Sequence, residues 1–174
     1  EVEDSGYGDP IPTLLKMCKS GQINRFAYIL VNLDEDYFFK SEGRSMDFKA
    51  QLDEGSAKLN QINSVIENSN SQATLIFQSL ITKTPPISLH YEDMSKESKF
   101  EIGKLLNEEM LSLRSENCLF LDLKYSNIKI DHKYHYFGKL PFSINNFSSY
   151  ADFLASLIFA HLGLTKKVLV LDLD

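Results

Sequence analysis

The chain has 174 residues, of which 43% are hydrophobic and 24% charged, with a formal net charge of −6 at pH 7. That composition suits a globular domain with a substantial core, and the acidic balance argues against the basic patch or stripe that nucleic-acid binding needs. No stretch approaches the roughly 20 apolar residues of a membrane span and no signal peptide is visible, so the expectation is a soluble, cytoplasmic protein with neither a membrane nor a nucleic-acid partner.

In chain order, "EVEDSGYGDPIP" starts with strand-like residues and moves at once into a Gly and Pro turn, so Ser5 reads as a turn residue rather than a nucleophile. An α/β sheet normally opens with a hydrophobic strand and a helix. Neither stands here, and the reading is of a piece cut from a longer polypeptide, without an upstream βα unit and without whatever follows Asp174. A helical pattern runs from Ile11 to Lys19 with Pro12 near its first turn, and "FAYILVNL" at Phe26 to Leu33 is a β-rich apolar strand. The following "DEDYFF" has two readings. Either Asp34 and Tyr37 line the crevice at the strand end, or the segment is an acid-rich first helical turn.

A second helix, Phe48 to Glu67, carries Leu52, Leu59, Ile62 and Ile66 on one side, and leads to the strand "ATLIFQSLI" at Ala73 to Ile81. "KTPP" is a loop, because Pro85 and Pro86 cannot continue a central strand, and His90 in "SLHYED" belongs with it. Helix Phe100 to Leu113, strand Cys118 to Leu123 ("CLFLDL"), helix Ser149 to Leu162 and strand Lys167 to Leu173 follow. The last helix presents Phe153, Leu154, Leu157, Ile158 and His161 before Gly163 stops it, and His161 is suited to the helix C-terminus. Strand and helix in alternation predict a three-layer α/β/α fold with a mainly parallel, flavodoxin-like sheet. Cys18 and Cys118, far apart and in apolar contexts, read as free buried thiols.

The end of the chain carries the chemistry. In "KKVLVLDLD", Val168 to Leu171 form a run fit for a strand buried on both faces, and Asp172 and Asp174 stand at its carboxyl end, where open α/β sheets bind ligands. Carboxylates at i and i+2 point to one side of a regular strand. They suit joint binding of a hard cation such as Mg²⁺, or a nucleophile beside an acid/base. The alternative is the polar end of a buried strand.

"KKVLVLDLD" resembles the first motif of the haloacid-dehalogenase (HAD) superfamily: a basic residue, four apolar residues, then Asp-x-Asp. More narrowly, "YFGKLPFS" at Tyr136 to Ser143, a helix, and then "KKVLVLDLD" resemble the junction in FkbH-like proteins, where an SGNH-hydrolase-like domain runs into a HAD phosphatase-type domain. "VEDSGYGDPIPTLL" and "YILVNLDEDYF" are similar to strand regions of that same N-terminal domain. The resemblance implies Asp172 as the nucleophile that takes a phosphoryl group and Asp174 as the general acid/base, with Mg²⁺ offsetting the phosphate charge. The Thr, Lys and distal acidic residues that complete such a site are absent from the chain. It also implies a parent enzyme that acts on a phosphorylated three-carbon substrate and loads a glyceryl unit onto an acyl carrier protein.

On this reading residues 1–146 are the SGNH-like domain, 147–165 a connector helix and 166–174 the first strand of the HAD domain. A working SGNH esterase would need a Gly-Asp-Ser turn, which would lie upstream of residue 1, and an Asp-x-x-His block. "VNLD" matches the oxyanion block poorly, with Val31 in place of Gly and Asn32 two positions early. "IDHKYHYFGK" departs from the Asp-x-x-His spacing, since Tyr134 follows Asp131 by three, and leaves Asp131 with His135 as the alternative catalytic pair. Lys124, Lys129, Lys133 and Lys139 gather around that segment, where a patch for docking an acidic carrier protein would serve the HAD junction. Two functions remain: an accessory docking domain of an FkbH-like enzyme, or an esterase or acyltransferase using an upstream Ser with His132 or His135.

Overall fold

The structure is a computed structural model, and it describes residues 9–33, 35–38, 47–68, 71–81, 99–126, 128 and 142–165. The chain divides into two compact units, Glu1–Asp122 and Leu123–Asp174.

In the first unit, α1 (Pro10–Ser20) begins at Asp9, whose carboxylate accepts the Ile11 N–H at 3.0 Å, with proline in the first turn where no N–H is needed. Gly21 ends it in the left-handed conformation, φ 70°, which an L side chain rarely adopts. A 3₁₀ turn, Gln22–Arg25, leads into β1 (Tyr28–Val31). Beyond it come the short α2 (Glu35–Phe38), α3 (Phe48–Glu67), β2 (Thr74–Gln78), α4 (Lys99–Ser112) and β3 (Cys118–Leu121).

The strands form a parallel sheet in the order β1-β2-β3, with Ile29 opposite Leu75 and Leu75 opposite Cys118. Parallel neighbours require crossovers, and here α3 lies between β1 and β2 in sequence and α4 between β2 and β3. Alternate strand residues, Ile29, Val31, Leu75, Phe77, Cys118 and Phe120, share one core with Ile11 and Leu14 of α1, with Leu59, Ile62 and Ile66 of α3, and with Ile102, Leu106 and Met110 of α4. The three helices therefore make one layer, with α3 packed between α1 and α4. On the opposite face Ile76, Leu119 and Leu121 are buried as well, so the sheet is covered on both sides there, consistent with three layers. Removing side chains such as Leu75 or Phe77 from water contributes about 1.5 to 3 kcal/mol each.

The expected mixed α/β fold with a parallel sheet is what the protein has. The predicted apolar side of α3 is also there, sharpened by Gly55: a Cβ at that position would lie 2.9 Å from Leu106 Cδ2 and 3.3 Å from Phe38 Cδ1. Glycine thus sets how closely α3 approaches α4. Strand lengths differ from expectation, since Phe26, Ala27, Ser79, Leu80 and Leu123 lie outside the bounds of β1, β2 and β3. For β2 the reason is local. Beyond Ser79 the backbone turns to a side chain on α4 for its hydrogen bonds.

In the second unit, 3₁₀ turns at Leu123–Tyr125 and Ile144–Asn146 precede α5 (Phe147–His161). Its end is a Schellman closure: Gly163, φ 69°, donates to the Ala160 carbonyl and Leu164 to that of Phe159. Phe142 packs its ring against Phe147 and Tyr150, with centroids 5.5 and 4.7 Å away. No residue of α5 is fully buried, and Phe147, Phe159, Leu162 and Leu164 are exposed. The fourth predicted strand, 167–173, lies outside the described residues.

Candidate functional site

Open parallel sheets place ligands beyond the carboxyl ends of their strands. In this chain that edge is built from Asn32 after β1, Gln78 and Ser79 at the end of β2, and Asp122 after β3. The register aligns them: Val31 pairs with Phe77 and Gln78 with Leu121, so Asn32 stands beside Gln78 and Ser79 beside Asp122. Gln78 Nε2 donates to Asn32 Oδ1 at 2.7 Å. Among the described residues Gln78 and Ser79 are, with Thr74, the buried polar ones, whereas Asn32 is exposed.

The turn after β2 is held by Asn107 of α4, which accepts the Leu80 N–H at 2.7 Å and donates to the Leu80 carbonyl at 3.1 Å. One carboxamide thus replaces a neighbouring strand for both polar groups of a buried residue. The Ser79 N–H goes to the Leu121 carbonyl at 2.9 Å, which extends the β2–β3 pairing by one residue. The edge therefore carries hydrogen-bonded neutral carboxamides beside the carboxylate of Asp122. Carboxamides orient carbonyl, carboxylate or phosphate oxygens, and do not themselves exchange protons.

Nearby residues serve as braces. Of the two readings of "DEDYFF", the helical turn is the one the protein adopts at Glu35–Phe38, while Asp34 lies outside the described residues. The Tyr37 hydroxyl donates to Asp9 at 3.3 Å, and Lys58 Nζ donates to the Tyr37 carbonyl at 3.0 Å while standing 5.1 Å above the Tyr37 ring. Burial, then the Asp9 charge and hydrogen bond, push the Tyr37 hydroxyl well above its ordinary pKa, so it stays a proton donor. Between α3 and α4, Glu109 accepts from the Ser56 hydroxyl and from Asn60 Nδ2.

Of the residues singled out from sequence, Asp172, Asp174, Asp131, His132, His135, Lys129, Lys133, Lys139, Ser5 and His90 lie outside the described residues. Lys124 is exposed in the turn Leu123–Tyr125. His161 stands exposed in the last turn of α5, the position suited to a helix C-terminus. Both cysteines are free thiols; Cys118 is buried, and Cys18 Sγ approaches the Val65 carbonyl at 3.9 Å. Among the described residues no three of His, Cys, Asp and Glu come together as a metal site, and no helix is long and apolar enough to cross a membrane.

Sequence reading passed over Gln78, Ser79 and Asn107. The signal was present in "ATLIFQSLI", where Gln78 and Ser79 interrupt an otherwise apolar strand, and in "GKLLNEEML", where Asn107 falls beside core-facing Leu106. No family model, curated protein or solved structure matches this chain.

Proposed function

We propose that this chain is the N-terminal accessory domain of an FkbH-like HAD-superfamily enzyme, docking an acidic carrier protein or positioning a phosphorylated three-carbon substrate for the HAD site. The observation that carries the reading is the string "KKVLVLDLD" at 166–174, which follows α5 after residues 162–165. The parallel α/β sheet upstream of it agrees with such a domain.

On this reading Asp172 would attack phosphorus and hold the phosphoryl group as an aspartyl-phosphate. Asp174 would protonate the leaving oxygen and then take a proton from the attacking water. Mg²⁺ held by these two carboxylates would offset the charge of the phosphate. Lys124, Lys129, Lys133 and Lys139 would supply the positive face for an acidic carrier.

The deciding experiment is turnover of a generic aryl phosphate, with Mg²⁺, by the polypeptide in which the motif continues into a complete HAD domain. Asp172→Asn should abolish turnover, and chelation of Mg²⁺ should do the same. Activity that survives the substitution, or ester cleavage indifferent to Mg²⁺, sinks the proposal and moves the chemistry to Asp131 and His135 with an upstream Ser.

A further inference from the structure

Helix α1 has two faces with different tasks. Ile11 and Leu14 are buried in the core, whereas Pro12, Leu15, Lys16, Lys19 and Ser20 line a concavity of about 540 Å³. Positions 12, 15, 16 and 19 follow the spacing of one helix stripe, which runs along α1 for about 10 Å. Leu15 is 39% exposed, although its neighbour Leu14 is only 4% exposed. Folding thus leaves an apolar floor of Pro12 and Leu15 partly uncovered, and the methylene stems of the lysines widen it.

The charge of the stripe is as distinctive as its shape. The residues of α1 include no Asp or Glu, and among the described residues neither Lys16 nor Lys19 has a carboxylate partner, whereas Lys58 pairs with Glu54 and Lys104 with Glu101. The Ser20 hydroxyl donates to the Met17 carbonyl at 3.2 Å, which leaves the two lysines as the donors of the stripe. The helix C-terminus opposes an anion by about half an elementary charge, less than two ammonium groups supply. On a chain of net charge −6 this stripe therefore selects an acidic partner. Its concavity fits the convex side of a helix laid along it better than the plane of a membrane.

We propose that the α1 groove binds an acidic amphipathic helix of a partner protein, with an aliphatic side chain on Pro12 and Leu15 and carboxylates one turn apart on Lys16 and Lys19. The inference goes beyond the accessory-domain reading and stands without it, because it uses only residues of α1 and none of the lysines between 124 and 139.

The probe is a dye-labelled helical peptide of leucine and glutamate, titrated with the chain and followed by fluorescence anisotropy. A leucine–glutamine peptide and phosphatidylglycerol vesicles are its companions. The leucine–glutamate peptide should bind saturably and weaken as salt rises. Exposed ion pairs are individually weak, so Lys16→Glu combined with Lys19→Glu should reduce the affinity about tenfold. Leu15→Ser should weaken binding as well, and because all three positions are exposed the urea midpoint should stay where it is. Absent binding, or binding that the charge reversal leaves intact, overturns the proposal. Equal binding of the leucine–glutamine peptide removes the recognition of acid and overturns it likewise. Capture of vesicles without peptide assigns the stripe to an anionic membrane, and self-association lost on charge reversal assigns it to a second copy of this chain; either result overturns the partner helix.

Discussion

Asn107 shows how much one side chain can carry. Its carboxamide satisfies both polar groups of Leu80, which is only 5% exposed, so Asn107→Leu leaves a buried donor and acceptor without their partners. That should destabilise the chain by about 2 to 4 kcal/mol, measured by urea unfolding, although the substitution adds apolar surface. Cys118 makes the residue-scale case for pH. Burial first, and the Glu67 charge second, raise its thiol from the ordinary 9.0 to about 11. Below pH 9 both folded and unfolded chains hold the proton, and the full contribution is present. Between pH 9 and about 11 the unfolded chain releases its proton first, so folding stability falls by roughly 2 to 3 kcal/mol across that window. Unfolding free energies measured across it should show the drop, and Cys118→Ala should flatten it. The residue type was visible as an apolar-context cysteine; the shift depends on burial and on Glu67, which lies far away in sequence.

Among the elements, α1 depends on the residue that precedes it. Asp9 caps the helix through Ile11 and receives the Tyr37 hydroxyl, tying α2 to the start of α1. Asp9→Ala should cost about 1 kcal/mol in thermal or urea unfolding, the usual worth of a cap, with Asn restoring most of it. The helices were legible because their signals are local: the apolar spacing of α3, the proline in the first turn of α1, the glycine after α5. The Phe48–Glu67 helix keeps its expected bounds for that reason. Strand ends were less legible. "ATLIFQSLI" reads as one long strand, but its ladder ends where Asn107, distant in sequence, captures Leu80. Helix α5 combines both cases: its Gly163 stop is local, while the exposure of Phe147, Phe159 and Leu162 is a property of the folded unit.

For the whole molecule, charge is the readable variable. A chain of net charge −6 would ordinarily repel an acidic partner, so docking of an acidic carrier protein through Lys124, Lys129, Lys133 and Lys139 predicts a strong dependence on ionic strength. If the proposed FkbH-like parent docks its carrier here, charge reversal of these four to Glu should abolish carrier capture by that parent in a binding assay, with turnover of a small aryl phosphate unchanged. If carrier binding is indifferent to both salt and reversal, the patch is not the docking surface. The α/β class, the helices and the cores of the three strands followed from the sequence alone, because hydrophobic periodicity and turn residues act over a few positions. Tertiary structure decided the strand order, the close approach at Gly55 and the joining of Asn32, Gln78 and Asn107 at one edge. Those arrangements bring together residues tens of positions apart, and local pattern carries no record of which distant side chain will complete a buried hydrogen bond.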